Sequence, residues 1–307
     1  MKEIIKTITK KLGLYHLLQS GYRNVIQSTA LVYYRIAYAK YKGQGFTCNV
    51  CNAEYKKFIP EYPSALAAPV LKKLHVIAGY GENVYCPSCF SKNRDRLLIA
   101  YFSETGIVSK KNVLHFSPEK AITKYLDKVN AAVTAVDLHP GFYKAIAKEI
   151  TRADATNLQF EDYHFDVIIA NHILEHIPND KDAIAQMYRV LKPGGLAILQ
   201  IPFSLLLNDT IEDGYINDAI KQEKLYGQAD HVRIYAKEDF EERLSHAGFE
   251  TLTVEKEQLK NYAKFAIQNE EVIFLVRKKQ KMERKETVPF IMERFFICCI
   301  FIDVFCL

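Results

Sequence analysis

The chain has 307 residues, 49% of them apolar and 25% charged, with a formal net charge of +5. That length can bury a full core, and the proportions are those of a globular protein rather than a disordered or fibrous one. Residues 1–45 carry eight basic side chains against Glu3 alone and residues 277–307 seven against four, whereas residues 46–276 carry 26 against 31 acidic ones, which argues against a nucleic-acid-coating surface there.

Residues 1–42 read as helical. Ile4, Ile5, Ile8, Leu12, Leu17 and Leu18 recur at helical spacing, with Lys2, Lys6, Lys10 and Lys11 around them. Such a basic amphipathic helix either lies on an anionic membrane or docks on the protein with its lysines in water. The N-terminus lacks the unbroken apolar core and small-residue cleavage site of a secretory signal, so a cytoplasmic chain is expected. The longest apolar run, Phe295–Leu307, has 13 residues and contains Asp303, short of the roughly 20 that span a bilayer.

Gly43–Gly45 ends the helical pattern, and residues 46–90 are turn-rich. They hold two C-x-x-C pairs, Cys48/Cys51 and Cys86/Cys89, separated by 34 residues. In a chain without an export signal, such pairs read as metal ligands rather than disulfides. Four thiolates fill a tetrahedron and leave no open position, so a structural zinc is expected. Four free buried thiols, or a redox pair, is the alternative.

A helix over Ser91–Gly106 follows. The rhythm then becomes strand–helix alternation. Strands are expected at 112–116, 131–138, 165–170 and 196–202, and helices at 118–129, 141–149, 180–191 and 236–247. Two late strands, 249–257 and 271–277, pair as a hairpin. Repeated βα units with near-continuous apolar strands specify an α/β fold with a mostly parallel sheet covered on both faces. Ligands of such sheets bind at the carboxyl ends of the strands. Asn171, His172, Glu175 and His176 fall at one such end, and Asp137 falls at another. Asp137 comes 21 residues after Phe116, the placement of an acid that accepts a ribose diol, although a solvated strand-end Asp has the same look. Asp154 stands at the expected end of a further strand. Lys192-Pro193-Gly194-Gly195 reads as a tight turn.

VLHFSPE (113–119), AVDL (135–138), DATNLQF (154–160), FDVIIANHILEHIPND (165–180), YRVLKPGG (188–195) and YGQADHVRIYAKEDFEERLSHAGF (226–249) together resemble a class I S-adenosylmethionine-dependent methyltransferase. With CNVC (48–51) and CPSCFSKNRDRLL (86–98) in front, the likeness is to a type 11-like bacterial group with a zinc-ribbon-like N-terminal segment. It implies a Rossmann-like seven-stranded sheet and four regions: a basic helical segment (1–45), a zinc-ribbon-like module (46–96), a methyltransferase domain (97–277) and a basic, apolar tail (278–307) outside the fold. It implies S-adenosylmethionine as cofactor. Asp137 takes the ribose position, Asp154 and Ala155 the adenine position, and Asn171 with His172 the place beside the sulfonium. The first loop, His115-Phe116-Ser117-Pro118-Glu119, lacks the usual G-x-G. The Ser117 hydroxyl, a backbone N–H and Glu119 are set there to hold the amino and carboxylate groups, beside His115.

Methyl transfer from a sulfonium is an in-line displacement, and a protein assists it by alignment, exclusion of water and, for a protonated acceptor, a general base. The candidates are His172, Glu175, His176 and His231, the last beside Asp230 and Arg233 in a polar insert (204–235) that reads as a lid or a salt-bridged turn. Glu175 and His176 have a loop-capping role as their alternative, and His139 and His164 read as surface residues. The acceptor is unnamed, with glycan or cell-envelope chemistry as the group's leaning. Two rival readings stay open: an inactive binding protein, and a zinc peptidase built on His172-x-x-Glu175-His176. Membrane contact, if any, is expected through 1–42 or the tail.

Overall fold

A computed structural model describes residues 29–143, 146–147 and 149–280. The seven strands of its main sheet are β1 (Asn112–Phe116), β2 (Ala132–Asp137), β3 (Thr151–Arg152), β4 (Phe165–Asn171), β5 (Leu191–Gln200), β6 (Phe249–Thr251) and β7 (Leu275–Lys278). Their spatial order is β6-β7-β5-β4-β1-β2-β3. Only β7 runs against the others, pairing antiparallel with β5 (Ile198 opposite Leu275) and with β6. The late hairpin is therefore present. The α/β fold expected from the βα rhythm stands.

Side-chain alternation explains why these segments are strands. In β4, Ile168 and Ala170 enter one core, while Val167 and Ile169 enter the other. The first core is closed by helices Asp180–Val190 and Lys237–His246, the second by Asn93–Thr105 and Lys120–Lys128. A strand buried on both faces has no polar side to show, hence its continuous apolar run.

Two expectations need correction. The helix over 141–149 is absent among the described residues of that stretch: a 3-10 turn, Pro140–Phe142, stands at its start. Pro140 and Gly141 favour a turn over a helix interior. The KPGG segment is not a free turn. It lies within β5, where the register against β4 shifts between Leu191 and Leu196. Gly194, at φ +78°, supplies the left-handed step of that irregularity.

The insert after β5 is folded. Ile211–Glu212, Arg233–Ala236, Phe203–Ser204 and Val76–Ile77 form a second, four-stranded sheet in that order, with helix Ala219–Tyr226 between. The cysteine-bearing segment joins it through Val76–Ile77 and holds two antiparallel strand pairs of its own, Lys42–Thr47 with Glu54–Tyr55 and Ile59–Glu61 with Gly81–Tyr85. Residues 29–37 are helical. Residues 1–28 of the expected basic helix and residues 281–307 of the expected apolar tail lie outside the described residues. No helix among the described residues is long and apolar enough to cross a membrane.

Arg96 ties the cysteine segment to the sheet. It is fully buried. Its Nε donates to Phe265 O, Nη1 to Val84 O and Ser91 O, and Nη2 to Asn83 O and Ala266 O, at 2.6 to 3.1 Å. The expected boundary between residues 96 and 97 falls inside helix Asn93–Thr105.

Candidate functional site

From β1 the chain runs outward to β2 and β3, and from β4 it runs the other way to β5. The carboxyl ends of β1 and β4 thus flank the point where strand order reverses, the crevice in which open α/β sheets hold ligands. The backbone turns sharply at both ends: Ser117 (φ +46°) and His172 (φ +57°) take left-handed conformations. Their N–H groups donate to Val136 O and Gln200 O, each at 2.8 Å.

A polar chain bridges the crevice. His115 Nε2 lies 2.9 Å from one oxygen of Glu119, and Asn171 Nδ2 donates to the other at 2.6 Å. His115 is fully buried and Asn171 nearly so. Asn171 Oδ1 and His115 Nδ1 are buried without a hydrogen-bond partner, and such atoms ask for an explanation. One strand over, Asp137 Oδ2 accepts from the Ser117 hydroxyl at 2.6 Å and Oδ1 from His139 N–H at 2.6 Å. Beyond β3, exposed Asp154 accepts from the Thr156 hydroxyl and N–H, which hold its carboxyl below the usual range. Ala155 beside it is buried. His115, Ser117, Glu119, Asp137 and Asn171 therefore meet at adjacent strand ends, with Asp154 and Ala155 in the next loop. Ser117 and Glu119 each hold a neighbouring side chain there, Ser117 that of Asp137 and Glu119 those of His115 and Asn171.

The second cluster follows directly. Leu174–His176 is a 3-10 turn, and Glu175 is 1% exposed. Its Oε1 lies 3.2 Å from His172 Nδ1 and 4.0 Å from His231 Nε2. The rings of His176 and His231 meet edge to face, centroids 4.7 Å apart. His176 Nδ1 faces Asp230, 3.2 Å from its carbonyl and 3.4 Å from its carboxylate. Burial alone would raise the Glu175 carboxyl, but His172, then His176 and His231, outweigh it and bring it to about 2. Burial lowers His172, aided by Arg94, and brings His231 to about 4 despite Glu175. Burial opposes the charge on His176 as well, yet Asp230 and Glu175 lift it to about 8. The result is a buried carboxylate among imidazoles of different protonation.

His172, Glu175, His176 and His231 line a cavity of ≈140 Å³ together with Tyr80, Lys92 and Arg94. Lys92 pairs with Glu61 at 3.0 Å. The Arg94 guanidinium forms no salt bridge or hydrogen bond among the described residues, and its Nε is buried without a partner. Sequence reasoning gave Tyr80, Lys92 and Arg94 no site role, although the last two stand in CPSCFSKNRDRLL, because they reach the cavity only through the fold of the cysteine segment. The peptidase motif does not form. His172 and His176 sit on a left-handed residue and a 3-10 turn rather than one face of an α-helix. Arg233 is not a proton acceptor: its buried guanidinium donates to Leu174 O, Ile177 O and Pro178 O and pairs with Glu212. His139 and His164 are exposed.

The four cysteines converge. Cys48 Sγ lies 3.6 Å from Cys89 Sγ, and Cys51 Sγ 3.7 Å from Cys86 Sγ, with all four sulfurs within 4.8 Å of one another. Zinc–sulfur bonds of about 2.3 Å in a tetrahedron put sulfurs about 3.8 Å apart, whereas a disulfide needs about 2.05 Å. The two knuckles have matching backbones. Asn52 N–H donates to Cys48 O and Phe90 N–H to Cys86 O; Cys48 N–H donates to Ala53 O and Cys86 N–H to Ser91 O. Asn52 and Phe90 both have positive φ.

Residues 118–199 match the family model described as "Methyltransferase domain". The ubiquinone/menaquinone biosynthesis C-methyltransferase of Haemophilus ducreyi is 32% identical over 117 residues, 33% of this chain and 44% of that protein. Its counterpart in Brucella anthropi is 30% identical over 156 residues, 46% of this chain and 59% of that protein. The chain thus spans about half the length of the curated relatives it matches. Among solved structures, a SAM dependent methyltransferase from Archaeoglobus fulgidus has a TM-score of 0.42 at 12% identity, over 60% of this chain and 94% of that one.

Proposed function

We propose that this chain, which carries a class I S-adenosylmethionine-dependent methyltransferase domain, transfers the cofactor's methyl group to an acceptor held in the cavity beside His172. The reading rests on one observation above the rest. The Asn171–Glu119–His115 chain spans the crevice between β1 and β4, and Asn171 Oδ1 is left as a buried acceptor without a partner. A carboxylate and an amide oxygen together suit an ammonium such as the cofactor's amino group. Asp137 suits the ribose diol, its remaining lone pairs still able to accept, while Asp154 and Ala155 suit the adenine edge.

S-adenosylmethionine supplies an activated methyl and its own leaving group. The protein's part is alignment and proton removal. His172 is the base in this reading. Burial lowers its pKa, which keeps the ring neutral, and Glu175 anchors Nδ1, so Nε2 is left to take a proton. Glu175 positions His172, and His176 and His231 shape the cavity. Arg94, whose guanidinium forms no salt bridge among the described residues, offers a contact to an anionic group of the acceptor. The zinc-ribbon-like module completes the cavity lining and holds one structural zinc through Cys48, Cys51, Cys86 and Cys89.

Isothermal calorimetry with S-adenosylmethionine tests the reading. Saturable binding to one site is expected. No binding at any concentration would leave the inactive binding protein in its place.

A further inference from the structure

We propose that Glu175, His176 and His231 form a second metal site, for a divalent first-row transition ion, in the wall of the acceptor cavity. One ligand atom from each lies within 4.8 Å of the other two. Two imidazoles and one carboxylate are a ligand set of open zinc and iron(II) sites, where protein fills three positions and leaves the rest to water or substrate. The cysteine site is closed by its four sulfurs; this one faces the cavity that all three residues line.

Two further observations point to a cation. Glu175 Oε2 and His231 Nδ1 are buried without hydrogen-bond partners. A buried carboxylate oxygen left unmet is costly, and a bound cation would meet that need. The surroundings also have the arrangement that orients metal ligands. His176 is held through Nδ1 by Asp230, and the second carboxylate oxygen, Glu175 Oε1, is held by His172.

The two loops that supply the ligands are locked together. Val232 N–H donates to Glu175 O at 3.0 Å, and Arg233 Nη1 donates to Leu174 O and Ile177 O at 2.9 and 2.5 Å. His231 and Glu175, 56 positions apart, are thus held together by one backbone bond and two from the Arg233 side chain. Preorganisation of this kind is what a metal site requires. An ion here would bind an acceptor oxygen and make it more acidic; that consequence rests on the methyl-transfer reading, whereas the metal site does not.

Titration of the full-length, zinc-loaded protein with Co²⁺ tests the site without cofactor or acceptor. The wild type is expected to take up one equivalent beyond the cysteine-bound metal. Its visible d–d absorption should lack the thiolate-to-cobalt charge transfer of a cysteine site. His231→Ala and Glu175→Gln should each abolish that uptake while keeping the cysteine zinc, and Asp230→Asn should weaken it by roughly 10- to 100-fold. His176→Gln, at the more exposed imidazole, gives the same readout should Glu175→Gln not fold. Wild-type protein that shows no such absorption at saturating Co²⁺, or uptake unchanged in His231→Ala, overturns the proposal.

Discussion

Ser117 donates its hydroxyl hydrogen to Asp137 Oδ2 at 2.6 Å, across the ends of two adjacent parallel strands. The bond aims the carboxylate and leaves it half-exposed. Asp137→Ala should therefore weaken S-adenosylmethionine binding at least tenfold, about 1.4 kcal/mol or more. Ser117→Ala, which only loosens the aim, should cost less. Calorimetry on both variants checks the order, and equal losses would mean that Asp137 does not meet the ligand directly.

The zinc proposed for the cysteine site should supply much of the stability. Metal held by four thiolates contributes folding free energy directly, on the order of 10 kcal/mol in isolated zinc modules. Metal analysis should give one tightly held zinc in the cysteine site. Cys86→Ser, or prolonged chelation, should lower the thermal midpoint by on the order of 10 °C. A Cys86→Ser protein with wild-type melting would sink the structural role.

Arg96→Met should destabilise the chain by about 3–5 kcal/mol, since it strips the donors from five carbonyls, three of them fully buried. Arg96→Lys should recover little of this, because a single ammonium has three donors and no planar fork. Urea unfolding measures both. A loss under about 1 kcal/mol would show that water replaces the guanidinium.

The contribution of Glu271 to stability should fall as pH rises from about 4.5 to 7. Burial lifts the Glu271 carboxyl to about 7, only partly opposed by Arg94. A carboxyl whose folded pKa lies above its unfolded value stabilises the fold fully below the unfolded pKa, and this contribution is lost as pH rises through the folded one. The loss by pH 8 is about 3 kcal/mol. Asp95, lifted to about 6 by burial and then by Glu119, acts in the same direction. Glu271→Gln should flatten the slope and raise the melting temperature at pH 8. An unchanged profile in that variant would refute the assignment.

The sheet was legible because strands buried on both faces must be apolar throughout, as FDVIIA is, and because Gly106 and Asn179 mark helix ends by their own chemistry. The crevice residues were legible through their place just after such strands. The pairing of Glu175 with His231 was not, because only the second sheet brings residues 56 apart together. Nor was the burial of Arg96, since an arginine on a helix carries no sign of five carbonyls waiting in three other segments. His-x-x-Glu-His, the rival peptidase reading, fails on geometry: histidines four positions apart share a face only in an α-helix, and the left-handed step at His172 breaks that geometry.

The cavity has two owners. Part of its lining belongs to the cysteine-bearing stretch and the start of the helix after it, through Tyr80, Lys92 and Arg94, and the rest to the sheet domain and its insert. The crevice from His115 to Asn171 draws on the sheet domain alone. Substitutions at residues 80 to 94 would thus reshape the cavity while leaving the crevice residues as they are.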